Sequence, residues 1–151
     1  VYLRYHTNNI DNKMKQIIEK LTFNTDAGNI LEITEKILEK INILNLNSGL
    51  INLSILHTSC SLMIQENADN TVLVDIKNYL NKIVPENTNY AHSTEGPDDM
   101  PAHLKTLLTQ TNLTLSLKNK NLILGTWQGI FLIEHRKQNK IRDVMFHFLG
   151  E

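Results

Sequence analysis

The chain has 151 residues, 41% hydrophobic and 21% charged, the balance of one ordinary globular domain, and disordered and fibrous classes are excluded. Its formal net charge of -1, from 15 basic and 16 acidic residues, supplies no excess of cations to displace counterions, so neither nucleic acid nor an anionic membrane is an expected partner. No apolar run approaches the ~20 residues a membrane-spanning helix needs, and a single cysteine, Cys60, points to a reducing, cytoplasmic setting, with any segment upstream of Val1 left open.

In chain order, KQIIEKLTFNT from Lys15 to Thr25, followed by the turn residues Asp26 and Gly28, reads as an opening strand. Asn29 is placed to cap a helix in which Ile30, Ile33, Ile37, Ile41 and Leu44 recur at three- and four-residue steps. After the break at 47–49, Leu50 to His57 alternates as a strand with His57 at its mouth. Asp69 or Asn70 caps a second helix carrying Val72, Ile76, Leu80 and Ile83 on one stripe, stopped by Pro85. The loop from Pro85 to Asp99 is long, polar and rich in ionisable groups, and Pro101 suits the first turn of a short helix with Asp98 and Asp99 near its positive end. The last third reads as an antiparallel meander of three strands, Leu113 to Leu117, Leu122 to Arg136 and Ile141 to Leu149, with GTWQG at 125–129 marking a bulge or a close backbone approach. This order argues α+β, with 1–151 as one domain and 1–12 as a tail.

Among candidate site residues, His103 carries most weight, because the first turn of a helix disfavours a protonated imidazole and keeps the ring ready to ligate a metal or act as a base. His92, Glu95, Asp98 and Asp99 add oxygen and imidazole donors within one loop, dense enough for a divalent cation or a proton relay; the plain alternative is a solvated acidic loop with capping aspartates. Strand alternation puts Phe131, Ile133 and His135 on one face and Ile130, Leu132, Glu134 and Arg136 on the other, so His135 is equally well a core histidine and Glu134 with Arg136 equally well a cross-strand ion pair. HTSCS at 57–61 suits phosphate contacts as well as hydroxyl turns, and Cys60 is a ligand, a nucleophile or buried filler. His6 and His147 stand outside the site. No zinc-finger, HExxH, P-loop, GxSxG or dinucleotide motif is present.

HTSCSLMIQENAD at 57–69, HSTEGPDDMPAHLK at 92–105, GTWQGIFLIEHR at 125–136 and the closing FLGE together resemble the YjbQ-like family, also called secondary thiamine-phosphate synthase enzymes. The resemblance implies an antiparallel sheet or partial barrel flanked by two main helices and one short helix, assembling as a homotrimer with a polar pocket for a metal ion. It also implies a weak transferase activity that joins a pyrimidine pyrophosphate to a thiazole phosphate and releases pyrophosphate. Carried over, its motif residues fall on His57, Ser59, Glu66, Asp69, His92, Glu95, Asp98, Asp99, His103, Gln128, Glu134, His135 and Arg136.

On that basis His57, His103 and His135 are expected to hold a divalent metal, zinc or magnesium, with Asp98 or Asp99 beside it. Glu66, Asp69, Asp98, Asp99, Glu134 and Arg136 are the candidate catalytic residues, and Ser59, His92, Gln128 and Arg136 the candidate contacts to a small phosphorylated substrate. The alternative is a trimeric metal- or ligand-binding protein without significant turnover.

Overall fold

The computed structural model describes residues 14–151, so the 1–12 tail and His6 lie outside the described residues. Strand β1 (Lys15–Thr25) occupies the range its sequence indicates, bounded by the turn at Asp26 to Gly28. The next segment departs from expectation. Ile30–Glu32 forms a short strand, β2, and helix α1 (Thr34–Ile43) begins only after it. Asn29 does not cap the helix; its Oδ1 accepts from the Ile30 N–H instead. The apolar spacing at 30–33 is equally compatible with a strand edge, and pairing with a distant strand decides the outcome.

Strand β3 (Gly49–Ile55) precedes β4 (Cys60–Glu66), which shows no polar alternation because its first half is buried on both faces. Helix α2 (Asn70–Ile83) is capped by Asp69, whose Oδ1 accepts from the Thr71 N–H at 2.8 Å. Its apolar stripe packs lightly, with only Leu80 buried. Helix α3 (Asp99–Leu108) carries Pro101 in its first turn. Strands β5 (Asn112–Lys118), β6 (Asn121–Leu122), β7 (Gln128–Glu134) and β8 (Lys140–Gly150) complete the chain.

The three-strand meander does not form. The expected long middle strand is divided: β6 stays beside β5, whereas β7 crosses to a second sheet. One antiparallel sheet, the partial barrel, has the order β1-β8-β3-β5-β6, and the other, also antiparallel, has the order β2-β7-β4. GTWQG lies at the crossing, where the Gly125 N–H donates to Gln128 Oε1 at 2.7 Å.

The core lies between the sheets. Phe146, Phe148, Ile51 and Leu53 from the larger sheet meet Leu62, Ile130 and Leu132 from the smaller one, with Ile37 and Ile41 of α1 closing the layer. The fold class is therefore α+β, as expected. Because Ile130 and Leu132 turn into this core, the alternate residues of β7, Phe131 and Ile133, lie on the other face, where α3 packs on β4.

Candidate functional site

Asp99 opens α3 and His103 follows it by four residues, which puts the carboxylate and the imidazole on one face of the helix. The loop ahead of α3 brings in a second imidazole. His92 Nε2 lies 2.7 Å from Asp99 Oδ2 and His103 Nε2 lies 3.4 Å from the same oxygen, and one ligand atom from each residue falls within 4.8 Å of the other two. This is the one such group among the described residues.

Asp99 is 2% exposed and held from behind. Arg136 Nη1 donates to Asp99 Oδ1, Nε donates to Asp98 Oδ2 at 3.0 Å, and Nη2 donates to the Glu95 carbonyl at 2.9 Å. Arg136 therefore takes one oxygen of Asp99 and leaves the other facing the two histidines. Burial would raise the pKa of Asp98, but bonds from the Lys137 N–H and from Arg136 outweigh it and hold the carboxyl below the usual range.

The donor set fits a divalent ion. His103 Nδ1 lies 2.8 Å from the Thr58 carbonyl, which can only accept, so Nδ1 donates there and Nε2 is the ring nitrogen turned toward Asp99. Two ligands ~2.0–2.1 Å from a tetrahedral ion sit about 3.3 Å apart, close to the 3.4 Å from His103 to Asp99, whereas His92, at 2.7 Å, is hydrogen-bonded to Asp99 and would swing outward to admit an ion. Two open depressions flank the group. One, of about 420 Å³, is lined by His92 with Tyr90, Ser93 and Gly96; the other, of about 370 Å³, is lined by His103 with His57, Thr58, Thr106 and Thr111.

The expected trio of His57, His103 and His135 is not what the fold assembles. His57 shares a depression with His103, but its Nε2 accepts from the Asp143 N–H at 2.8 Å, and burial followed by Arg142 lowers its pKa. His135 is 6% exposed, with Nε2 2.8 Å from Ser61 Oγ, and burial pushes its pKa down to about 4. His92, expected to contact phosphate, lies beside Asp99 and His103 in the group whose ligand atoms could hold an ion.

The remaining candidates are distributed elsewhere. Glu134 pairs with Arg142, not Arg136: Arg142 Nη2 and Nε reach its two oxygens at 2.5 and 2.6 Å, and Thr25 Oγ1 and the Arg136 N–H also donate to it. Burial would raise the pKa of Glu134, yet the Arg142 and Thr25 bonds keep it lowered. Ser59 is buried, its Oγ accepting from Arg142 Nη2 at 3.0 Å. Glu66 and Gln128 face each other at the far end of the β4–β7 ladder from Cys60 and Glu134, six residues or about 20 Å away, and Asp69 caps α2 nearby. Cys60 is fully buried, and burial raises its thiol to about 12, so it remains a protonated packing residue.

Sequence reasoning overlooked Arg142. The signal was present in the alternation of the last strand, which puts Arg142 on the face of Val144, Phe146 and Phe148, where a cation requires a buried partner.

Residues 19–151 match the family model described as UPF0047 protein YjbQ-like. The chain belongs to this family. It is 42% identical over 138 residues to the UPF0047 protein sll1880 of Synechocystis sp., covering 91% of this chain and 94% of the relative. It is 42% identical over 120 residues to the UPF0047 protein YjbQ of Salmonella typhimurium, covering 79% and 87%. Among solved structures, a YbjQ-like protein of Sulfolobus solfataricus P2 superposes with a TM-score of 0.84 at 18% identity, covering 92% of this chain and 100% of that one. A YjbQ/UPF0047 protein of Clostridium acetobutylicum gives 0.79 at 28% identity, covering 86% and 98%. The α+β architecture is thus that of the YjbQ-like fold.

Proposed function

We propose that this YjbQ-like chain is a metal-dependent enzyme acting on a small phosphorylated molecule, with His92, Asp99 and His103 holding the ion. The observation that carries the reading is the convergence of two imidazole nitrogens on the one Asp99 oxygen that Arg136 leaves free. Two imidazoles and one carboxylate favour zinc over magnesium, which takes oxygen ligands and keeps several waters. Three protein ligands leave a further coordination position, at which a bound ion polarises a phosphoryl oxygen or lowers the pKa of water.

The chain's own groups orient that donor set. Thr58 fixes the His103 tautomer, and Arg136, anchored on Asp98 and Glu95, fixes the Asp99 carboxylate. The polar depression beside His92 is where the substrate would rest. In its finer form the reaction joins a pyrimidine pyrophosphate to a thiazole phosphate and releases pyrophosphate; the sequence resemblance alone supports this.

Metal analysis of the purified protein is expected to find about one zinc per chain, reduced at least about tenfold in affinity by His103→Ala. Pyrophosphate release from the two thiamine precursors is expected to fall with the metal. Absence of bound metal after zinc loading, or metal content indifferent to His103→Ala, would overturn the proposal. A second reading, a metal-binding protein without turnover, is favoured by the engagement of Arg136 with three internal oxygens, which commits its guanidinium inside the chain and away from a pyrophosphate. Bound zinc with no precursor-dependent release of pyrophosphate selects it. The resemblance also supports self-association as a homotrimer, which would cover the exposed apolar residues Ile18, Leu50 and Leu149 on the outer face of the larger sheet; sedimentation measures it.

A further inference from the structure

A third space lies away from the His92–Asp99–His103 group and is less open than the two depressions that flank that group. It is a cavity of about 230 Å³ between α2, α3 and the outer face of β7. Leu80, Ile30 and Ile133 form its apolar wall. Lys105, which lines it from α3, follows His103 by two residues and so stands about 160° around the helix from it.

The charges lining this cavity do not balance. Lys137 Nζ is paired with Glu86 at 2.8 Å, and Glu134 is paired with Arg142. Lys105 is 6% exposed, and its ammonium donates to a neutral acceptor, Asn81 Oδ1, at 2.7 Å. Lys77 is exposed at the rim, over Gly28, and makes no hydrogen bond or ion pair with any described residue; a Cβ on Gly28 would stand 3.7 Å from its Nζ. Glu86, which also lines the cavity, is the carboxylate that acts most on Lys105, but its ion pair is with Lys137, so Lys105 and Lys77 face the cavity without an ion pair of their own. A buried ammonium is costly without an opposite charge, and an oxyanion entering from the rim supplies one.

We propose that this cavity binds a small organic oxyanion, a phosphate monoester or a carboxylate, with its charged end between Lys105 and Lys77 and a short apolar body against Leu80, Ile30 and Ile133. Hydrogen bonds to charged groups are worth more than neutral ones, so loss of either lysine weakens binding by about tenfold or more. The volume admits a molecule of a few carbons beyond its charged group and no nucleotide.

Calorimetric titration of the purified protein with inorganic phosphate, butyl phosphate and butyrate tests this. Saturable binding of at least one probe is expected, weakened about tenfold or more in both Lys105→Met and Lys77→Met and unchanged in His103→Ala. The relative affinities of butyl phosphate and butyrate tell which oxyanion the cavity prefers. If Lys105→Met does not fold, Lys77→Met decides, because its side chain is exposed. No saturable binding by the wild type, or binding that survives Lys77→Met unchanged, overturns the proposal, as does binding lost in His103→Ala, which would assign the anion to the metal group.

Discussion

Glu134 and Arg142 show how much a buried pair constrains its surroundings. The carboxylate, 2% exposed, accepts from both sides of the guanidinium and from Thr25, while Arg142 also reaches Ser59 Oγ. Each charge is tolerable only because the other is present, since desolvation of an isolated ion exceeds what packing returns. Arg142→Met is expected to destabilise the protein by about 3–5 kcal/mol, because Glu134 is left charged and unpaired. Glu134→Gln alone should be similarly costly, whereas Arg142→Met combined with Glu134→Gln should recover much of the loss, since neither ion remains. Urea unfolding of the four proteins measures the coupling. Strict additivity of the two single losses would show that the pair is not the unit described here. The geometry also makes Glu134 an internal partner of Arg142, engaged through both carboxylate oxygens.

At the scale of elements, the joint between β2 and α1 carries the packing of β7. Thr34 Oγ accepts from the Ile130 N–H at 2.9 Å and donates to Glu32 Oε1 at 2.9 Å, bridging the helix start to a buried strand. Thr34→Val keeps the shape and removes the acceptor, leaving a buried N–H without a partner; a loss of about 1–3 kcal/mol is expected, with Thr34→Ser close to wild type. Equal stability of the Val and Ser variants, measured by thermal unfolding, would count against that role. This joint also shows where local pattern stops being informative. β1 and α2 were legible because turn residues bound the first and Asp69 caps the second, signals carried by neighbours in sequence. Ile30–Glu32 becomes a strand only because Ile133 to Phe131 lie opposite, and the run from Leu122 divides only because its halves join different sheets. The site followed the same rule. Asp99, at the end of the polar loop, and His103, in the first turn of the short helix, were legible as neighbours in sequence; that Arg136 serves Asp99 while His135 turns to Ser61 depends on strand register, which spacing alone does not reveal.

For the whole molecule, His135 links the interior to pH. Burial, reinforced by Lys105 and Arg142 and only partly opposed by Glu134, lowers its folded pKa to about 4, against about 6.5 when unfolded. Between those values the unfolded chain binds the proton that the folded chain refuses, so stability rises with pH across this window and is lost as pH falls from about 6.5 toward 4. The full difference corresponds to roughly 3 kcal/mol. His135→Gln retains an amide able to bond Ser61 and removes the titration. Urea unfolding at fixed protein concentration should therefore show wild type losing roughly 3 kcal/mol more than His135→Gln between pH 7 and pH 4. The comparison isolates one group. His57, whose pKa is also lowered, acts in the same direction in both proteins and cancels. Glu134, whose folded pKa lies below its unfolded value of 4.5, contributes stability that begins to be lost as pH falls past that value and goes on falling through its folded pKa, in both proteins. Parallel stability curves for the two proteins would mean that the buried imidazole accepts its proton without cost, and that the Ser61 bond and the wall of the Lys105 cavity rearrange to solvate it.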